Sequence, residues 1–149
     1  MSRLTAILLS LVAASALADE SAVIARMAAC EDVVCLKDAY FTPHVVSPGV
    51  RFFYYARLLQ LIPRNRAAEA ALLDTLPKNT EEADANLSFT RATIEDDDDR
   101  GLRDQIAKDV IEIYRRAARR HPEYDERFAA AEPLLREAMS RMRVLSAEC

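Results

Sequence analysis

Residues Gly101–Arg120 read GLRDQIAKDVIEIYRRAARR. Leu102, Ile106, Val110, Ile113, Tyr114 and Ala117 fall at i, i+4, i+8, i+11, i+12 and i+15, which is one apolar stripe of helical period. On the other face Asp104 precedes Lys108 by four residues and Glu112 precedes Arg116 by four, the favourable order for ion pairs along a helix. The pattern predicts one amphipathic surface helix from about Gly101 to Arg120, stopped by His121-Pro122. The acidic run Glu95, Asp96, Asp97, Asp98, Asp99 lies just before its start. Arg115, Arg116, Arg119 and Arg120 lie in its last turns. Acid at the start and base at the end complement the helix macrodipole, so neither run requires a ligand.

Helical periodicity extends in both directions, punctuated by Pro43, Pro48, Pro63, Pro77, Pro122 and Pro133. Ser47-Pro48 reads as an N-cap followed by the first helical residue. The helix it starts, to Ile62, carries Phe52, Phe53, Tyr54, Tyr55, Leu58, Leu59, Leu61 and Ile62 around nearly its whole circumference. A helix apolar on all sides is central and buried, or offers one face to a ligand or partner. Pro63-Arg64-Asn65 and Pro77-Lys78-Asn79 repeat one stop-and-start device, in which Pro ends a helix and Asn caps the next; Asn79 with Glu82 fits a capping box. The intervening helix would bury Ala68, Leu72, Leu73 and Leu76. A weaker one after Asn79 carries Ala83, Leu87, Phe89 and Ile94. A last helix uses Phe128, Leu135, Met139, Met142 and Leu145, with Pro133 starting its second half or kinking it. Before Ser47, Asp19 or Ser21 can cap a helix carrying Val23, Ile24, Met27 and Ala28, continued to Phe41 with a break near the cysteines. The expected fold is all-α: a single compact domain of five to seven helices.

Met1–Ala18, MSRLTAILLSLVAASALA, has one charge at Arg3, an uncharged run from Leu4 to Leu17, and Ala16-Leu17-Ala18 in the small-x-small pattern of a cleavage site. The run of about fourteen residues is short of the roughly twenty that a membrane-spanning helix needs. The expectation is a cleavable signal peptide (1–18) and a helical domain (19–149), periplasmic or secreted and without a membrane span. Cleavage would leave 131 of the 149 residues and move the net charge from −4 to near −5, since Arg3 is the only charge lost. An acidic chain is poorly suited to nucleic acid, which needs clustered cations to neutralise phosphate. The Ala- and Arg-rich, Lys-poor composition suggests a bacterial genome of high GC content.

An oxidising compartment favours cysteine pairing. Cys30, Cys35 and Cys149 permit three pairings, each leaving one cysteine that could link two chains into a disulfide-bonded dimer. Residues five apart in an unbroken helix lie roughly 8–9 Å apart, too far for a disulfide. A Cys30–Cys35 bridge therefore requires the helix to break within Glu31–Val34; the rival ties Cys149 to the first helix.

Motifs for chemistry are sparse. Gly49 and Gly101 are the only glycines, so no phosphate-cradling loop or dinucleotide fingerprint can be built. Cys-x4-Cys is not the redox spacing. An EF-hand laid from Asp96 puts Arg100 and Arg103 inside the loop and Ala107 at the position of the bidentate Glu. There is no Gly-x-Ser-x-Gly; His44 reads as a loop residue and His121 as a helix-terminus residue. No metal, cofactor or catalytic residue is implied. The expectation is an exported protein-interaction domain, of inhibitor or immunity type, whose segment 95–99 meets a basic partner. Arg115, Arg116, Arg119 and Arg120 form an alternative anion site. A carrier of a small apolar ligand held by Phe52, Phe53, Tyr54, Tyr55, Leu58 and Leu59 is the second expectation. A hydrolase with a non-local active site is the third.

Overall fold

A computed structural model describes residues 20–43 and 47–148 of the chain, the last six by backbone alone. The signal-peptide segment, His44, Cys149 and the Leu145 side chain lie outside the described residues. Eight α-helices are present among those described: α1 (20–29), α2 (Val33–Phe41), α3 (Pro48–Leu61), α4 (Arg66–Leu73), α5 (Thr80–Asn86), α6 (Asp97–Lys108), α7 (Val110–Arg119) and α8 (Asp125–Glu148). Two short 3-10 helices, Ser88–Arg91 and Pro122–Tyr124, join them. The result is the all-α single domain that the periodicity predicts. No described helix is long and apolar enough to cross a membrane.

The predicted stop signals operate as capping chemistry. Ser47 Oγ accepts from the Val50 amide at 3.2 Å, Asn65 Oδ1 from Ala68 at 3.1 Å, and Asn79 Oδ1 from Glu82 at 2.8 Å. Each satisfies one of the amides that a helix start leaves unpaired. Glu82 reaches back to the Lys78 amide at 2.7 Å, one residue before the position that a capping box usually serves. At the first helix Glu20 is already helical, so Ser21 is not its cap; the Ser21 hydroxyl instead accepts from the Thr93 amide at 3.4 Å.

The 101–120 segment departs from the sequence reading in two ways, at its middle and at its start. The 101–120 helix is two helices, divided at Asp109, whose N–H is shared between the carbonyls of Gln105 (3.1 Å) and Ile106 (3.2 Å). The apolar stripe runs on across the break, but α6 packs on the Ser88–Arg91 turn while α7 packs between α4 and α8. One straight rod cannot face both, and aspartate is a weak helix former. The same helix begins at Asp97, not Gly101, because Asp96 caps it by accepting from the Asp98 amide at 2.8 Å. The expected break near the cysteines falls at Cys30–Asp32, where Asp32 accepts from the Cys35 amide at 2.8 Å and starts α2. With the helix interrupted, the Cα atoms of Cys30 and Cys35 lie 5.5 Å apart and the two cysteines form a disulfide.

Helix α3 is the centre, as its composition predicts, contacting α2, α4, α5 and the Ser88–Arg91 turn. Val50, Phe52, Phe53, Tyr54, Ala56 and Leu58 are buried. Phe52 packs on Phe89 and Tyr114, with ring centres 5.6 and 5.1 Å away, and Phe53 packs on Phe89 at 5.5 Å. Burying Tyr114 obliges its hydroxyl to find a partner. Asn86 donates to it at 3.1 Å; it lies 2.6 Å from Thr75 Oγ1, which in turn donates to the Leu72 carbonyl at 2.6 Å. Asn86 also donates to the Thr75 carbonyl at 2.6 Å. This relay locks α5 and α7 to the end of α4. Burial holds the Tyr114 hydroxyl far above its ordinary pKa, against the opposing pull of these hydrogen bonds.

The α3 N-terminus approaches the Ser88–Arg91 turn so closely that only glycine fits at position 49. A Cβ there would collide with Ser88 Oγ and stand 3.0 Å from the Phe89 amide nitrogen and 3.1 Å from Glu20 Oε1. Glu20 closes the junction, accepting from Ser88 at 2.5 Å and Ser47 at 3.2 Å. Gly49→Ala should therefore destabilise the domain by about 1–3 kcal/mol, the usual cost of overpacking, although alanine is the better helix former. Urea unfolding measures this; an unchanged or raised midpoint would show that the junction is loose. Removing the disulfide by C30S/C35S should cost about 2 kcal/mol in the loop-entropy model for so short a loop, read from the same unfolding curve.

Candidate functional site

The side chains that the sequence singles out are dispersed over the molecule. The acidic run forms the start of α6: Asp96 is the cap, and Asp97, Asp98 and Asp99 make the first turn. Asp99 is held above its usual pKa by partial burial and by the neighbouring charges of Asp96 and Asp98. The run thus serves the helix start, and Glu95 to Asp98 are exposed.

The four arginines at the end of α7 are each matched to a carboxylate. Arg115 pairs with Glu112 at 2.8 Å and Glu132 at 3.0 Å, Arg116 with Glu112 at 3.3 Å, and Arg119 with Glu112 at 4.0 Å. Arg120 reaches Glu69 at 3.2 Å. A bound anion would have to displace these carboxylates. The Glu112–Arg116 pair is the one read from the i, i+4 spacing; Asp104 meets Arg103 at 3.5 Å instead.

Sequence reading misses the role of Glu69. It is buried at the α4–α7 junction, 3.4 Å from Nε2 of the equally buried His121, whose Nδ1 lies 3.3 Å from Glu123. Both ring nitrogens are engaged by carboxylates, an arrangement that orients an imidazole. The signal was a glutamate among alanines and leucines on an apolar helix face. Among the described residues no three His, Cys, Asp or Glu side chains converge as metal ligands.

The aromatic helix divides in two. Phe52 and Phe53 belong to the core. Tyr54 and Tyr55 turn toward α2, where Tyr54 stacks on Tyr40 at 4.0 Å with planes 6° apart and Tyr55 meets Tyr54 edge-on at 4.9 Å. Burial, reinforced by Tyr55 and Tyr40, pushes Tyr54 up to about 12. Leu58 is buried and Leu59 half-buried against the core. From this stack the apolar surface continues outward: Phe41 packs edge-on against Tyr40 at 4.8 Å and Tyr54 at 5.8 Å, yet remains 57% exposed. Val34, seven residues earlier on the same helix face, is 80% exposed. Helix α2 is thus pinned to α1 by the disulfide and to α3 by stacked rings, and it presents two large apolar side chains to solvent. Neither residue stands out in the sequence, because the helix has no sharply segregated polar face.

The arginine cluster predicts an acid response. Hydrogen bonds from Arg115, then Arg116, hold Glu112 below the usual carboxylate range, and Arg136, then Arg115, do the same for Glu132. A carboxylate depressed in the folded state contributes stability that is complete above its unfolded value, about 4.3 for Glu. That contribution is lost as pH falls through the folded value. The melting temperature should drop on acidification, less steeply in Glu112→Gln, and added salt should narrow the difference because the cluster is solvated. An identical acid limb in the variant would show that the cluster is energetically idle. No protein-family model, no curated protein and no solved structure matches this chain.

Proposed function

We propose that the chain is an exported interaction domain that binds another protein through the outer face of α2 and does not itself catalyse a reaction. The observation that carries this reading is the pair Val34 and Phe41, exposed on one face of a helix anchored on both sides. Exposed apolar side chains of this size are surface that a partner can bury. Rigid anchoring also reduces the entropy lost when a partner binds. Export to the periplasm or beyond is read from Met1–Ala18 and agrees with a disulfide inside the domain. The acidic segment 95–99 would add long-range attraction for a basic partner, which alters the association rate more than the final affinity. An inhibitor or immunity-type role fits a small acidic domain of this kind.

The test is capture of a stoichiometric partner from the exported fraction of the source cell, followed by affinity measurement with two variants. V34D/F41D should weaken binding at least tenfold. Changing Asp96–Asp99 to Asn should mainly slow association and reduce its dependence on salt. Retention of full affinity by V34D/F41D would overturn the α2 face as the docking surface.

A further inference from the structure

A second surface, sharing no residue with the α2 face, has a different chemistry. Helices α5, α6 and α8 and the Ser88–Arg91 turn enclose a cleft of about 890 Å³. Its apolar lining is Leu87, Ala107, Ala138, Met139 and Met142. Two methionines on one helix give a lining that adapts to an irregular hydrocarbon shape. Cations outnumber acids around this lining: Arg91, Arg103, Lys108 and Arg141 against Asp84 and Asp104.

Both acids are already taken. Asp84 is bound by Arg141 at 2.6 Å, and Asp104 lies 3.5 Å from Arg103. That leaves Arg91 and Lys108, exposed on the cleft wall, with no carboxylate within 4.0 Å among the described residues. Arg103 lies deeper, its side chain only 15% exposed; Nη1 donates to the Ala92 carbonyl, and the buried Nε has no partner among the described residues. An uncompensated positive surface next to an apolar trough is notable in a chain of net charge −4.

We infer that this cleft binds a single-chain amphipathic carboxylate, a long-chain fatty acid, with its hydrocarbon along Ala107, Met139 and Met142 and its head group toward Arg91 and Lys108. The volume lies within the range of small-molecule sites, about 300–1,000 Å³. A carboxylate head makes charge-assisted hydrogen bonds that a neutral head cannot. This site does not depend on the α2 reading, and either can fail alone.

The experiment is displacement of a fluorescent fatty-acid probe from the purified full-length exported chain by oleate and by oleyl alcohol, below their aggregation concentrations. Saturable one-to-one oleate binding is expected, with the alcohol at least tenfold weaker. R91E/K108E should lose at least tenfold in oleate affinity, and Met139→Glu should abolish binding, while the melting temperature of R91E/K108E stays close to that of the parent. R91Q/K108Q, expected to lose a smaller but measurable share, repeats the test should charge reversal disturb folding. Absence of saturable oleate binding, equal affinity for the alcohol, or undiminished binding in a folded Arg91/Lys108 variant would each overturn the inference.

Discussion

Phe52 and Phe53 sit side by side on α3, so their rings leave the backbone about 100° apart, and a neighbour that reaches both must sit between them. Phe89 lies against both rings, Tyr114 against Phe52, and the next residue, Tyr54, turns to Tyr40 on α2. Three consecutive aromatic residues thus draw α2, the Ser88–Arg91 turn and α7 around one axis. The rest of the architecture follows from keeping that axis dry. Gly49 lets the turn approach closely enough for Phe89 to reach α3, and the interruption at Asp109 lets α7 swing Tyr114 into the core while α6 stays on the turn.

Placing Tyr114 at that centre creates an obligation as well as a contact. An unpaired buried hydroxyl would cost about 1–3 kcal/mol, and the chain meets it with Asn86 and Thr75 from two other segments. The polar relay and the aromatic packing therefore specify one another: α4, α5 and α7 can pack in the arrangement that satisfies the hydroxyl and in few others. Glu69 and His121 repeat the principle on a smaller scale at the far end of α7.

Charge follows a separate logic. The arginine cluster, conspicuous in the sequence, is occupied within the fold, each of its four members meeting Glu112, Glu132 or Glu69, while the acidic run supplies the cap and first turn of α6. The surfaces proposed for binding are made of residues that look ordinary in a linear reading. Val34 and Phe41 matter because no described segment covers them, and Arg91 and Lys108 because no described carboxylate pairs with them. Both are properties of the assembled surface.

By itself, the sequence determined the helical class, the starts at Ser47, Asn65 and Asn79, the central place of α3, and the condition that Cys30 could meet Cys35 only if the helix broke. Each rests on interactions spanning a turn or two, such as a side chain reaching an amide three residues on, or the angle between successive residues. Only the tertiary structure decided that the 101–120 stripe divides at Asp109, that the break at Cys30–Asp32 closes the disulfide, that Asn86 and Glu69 are interior polar groups, and which apolar and cationic side chains remain uncovered. Those outcomes depend on partners far away in the chain, and local periodicity carries no information about which distant segment will cover a given face.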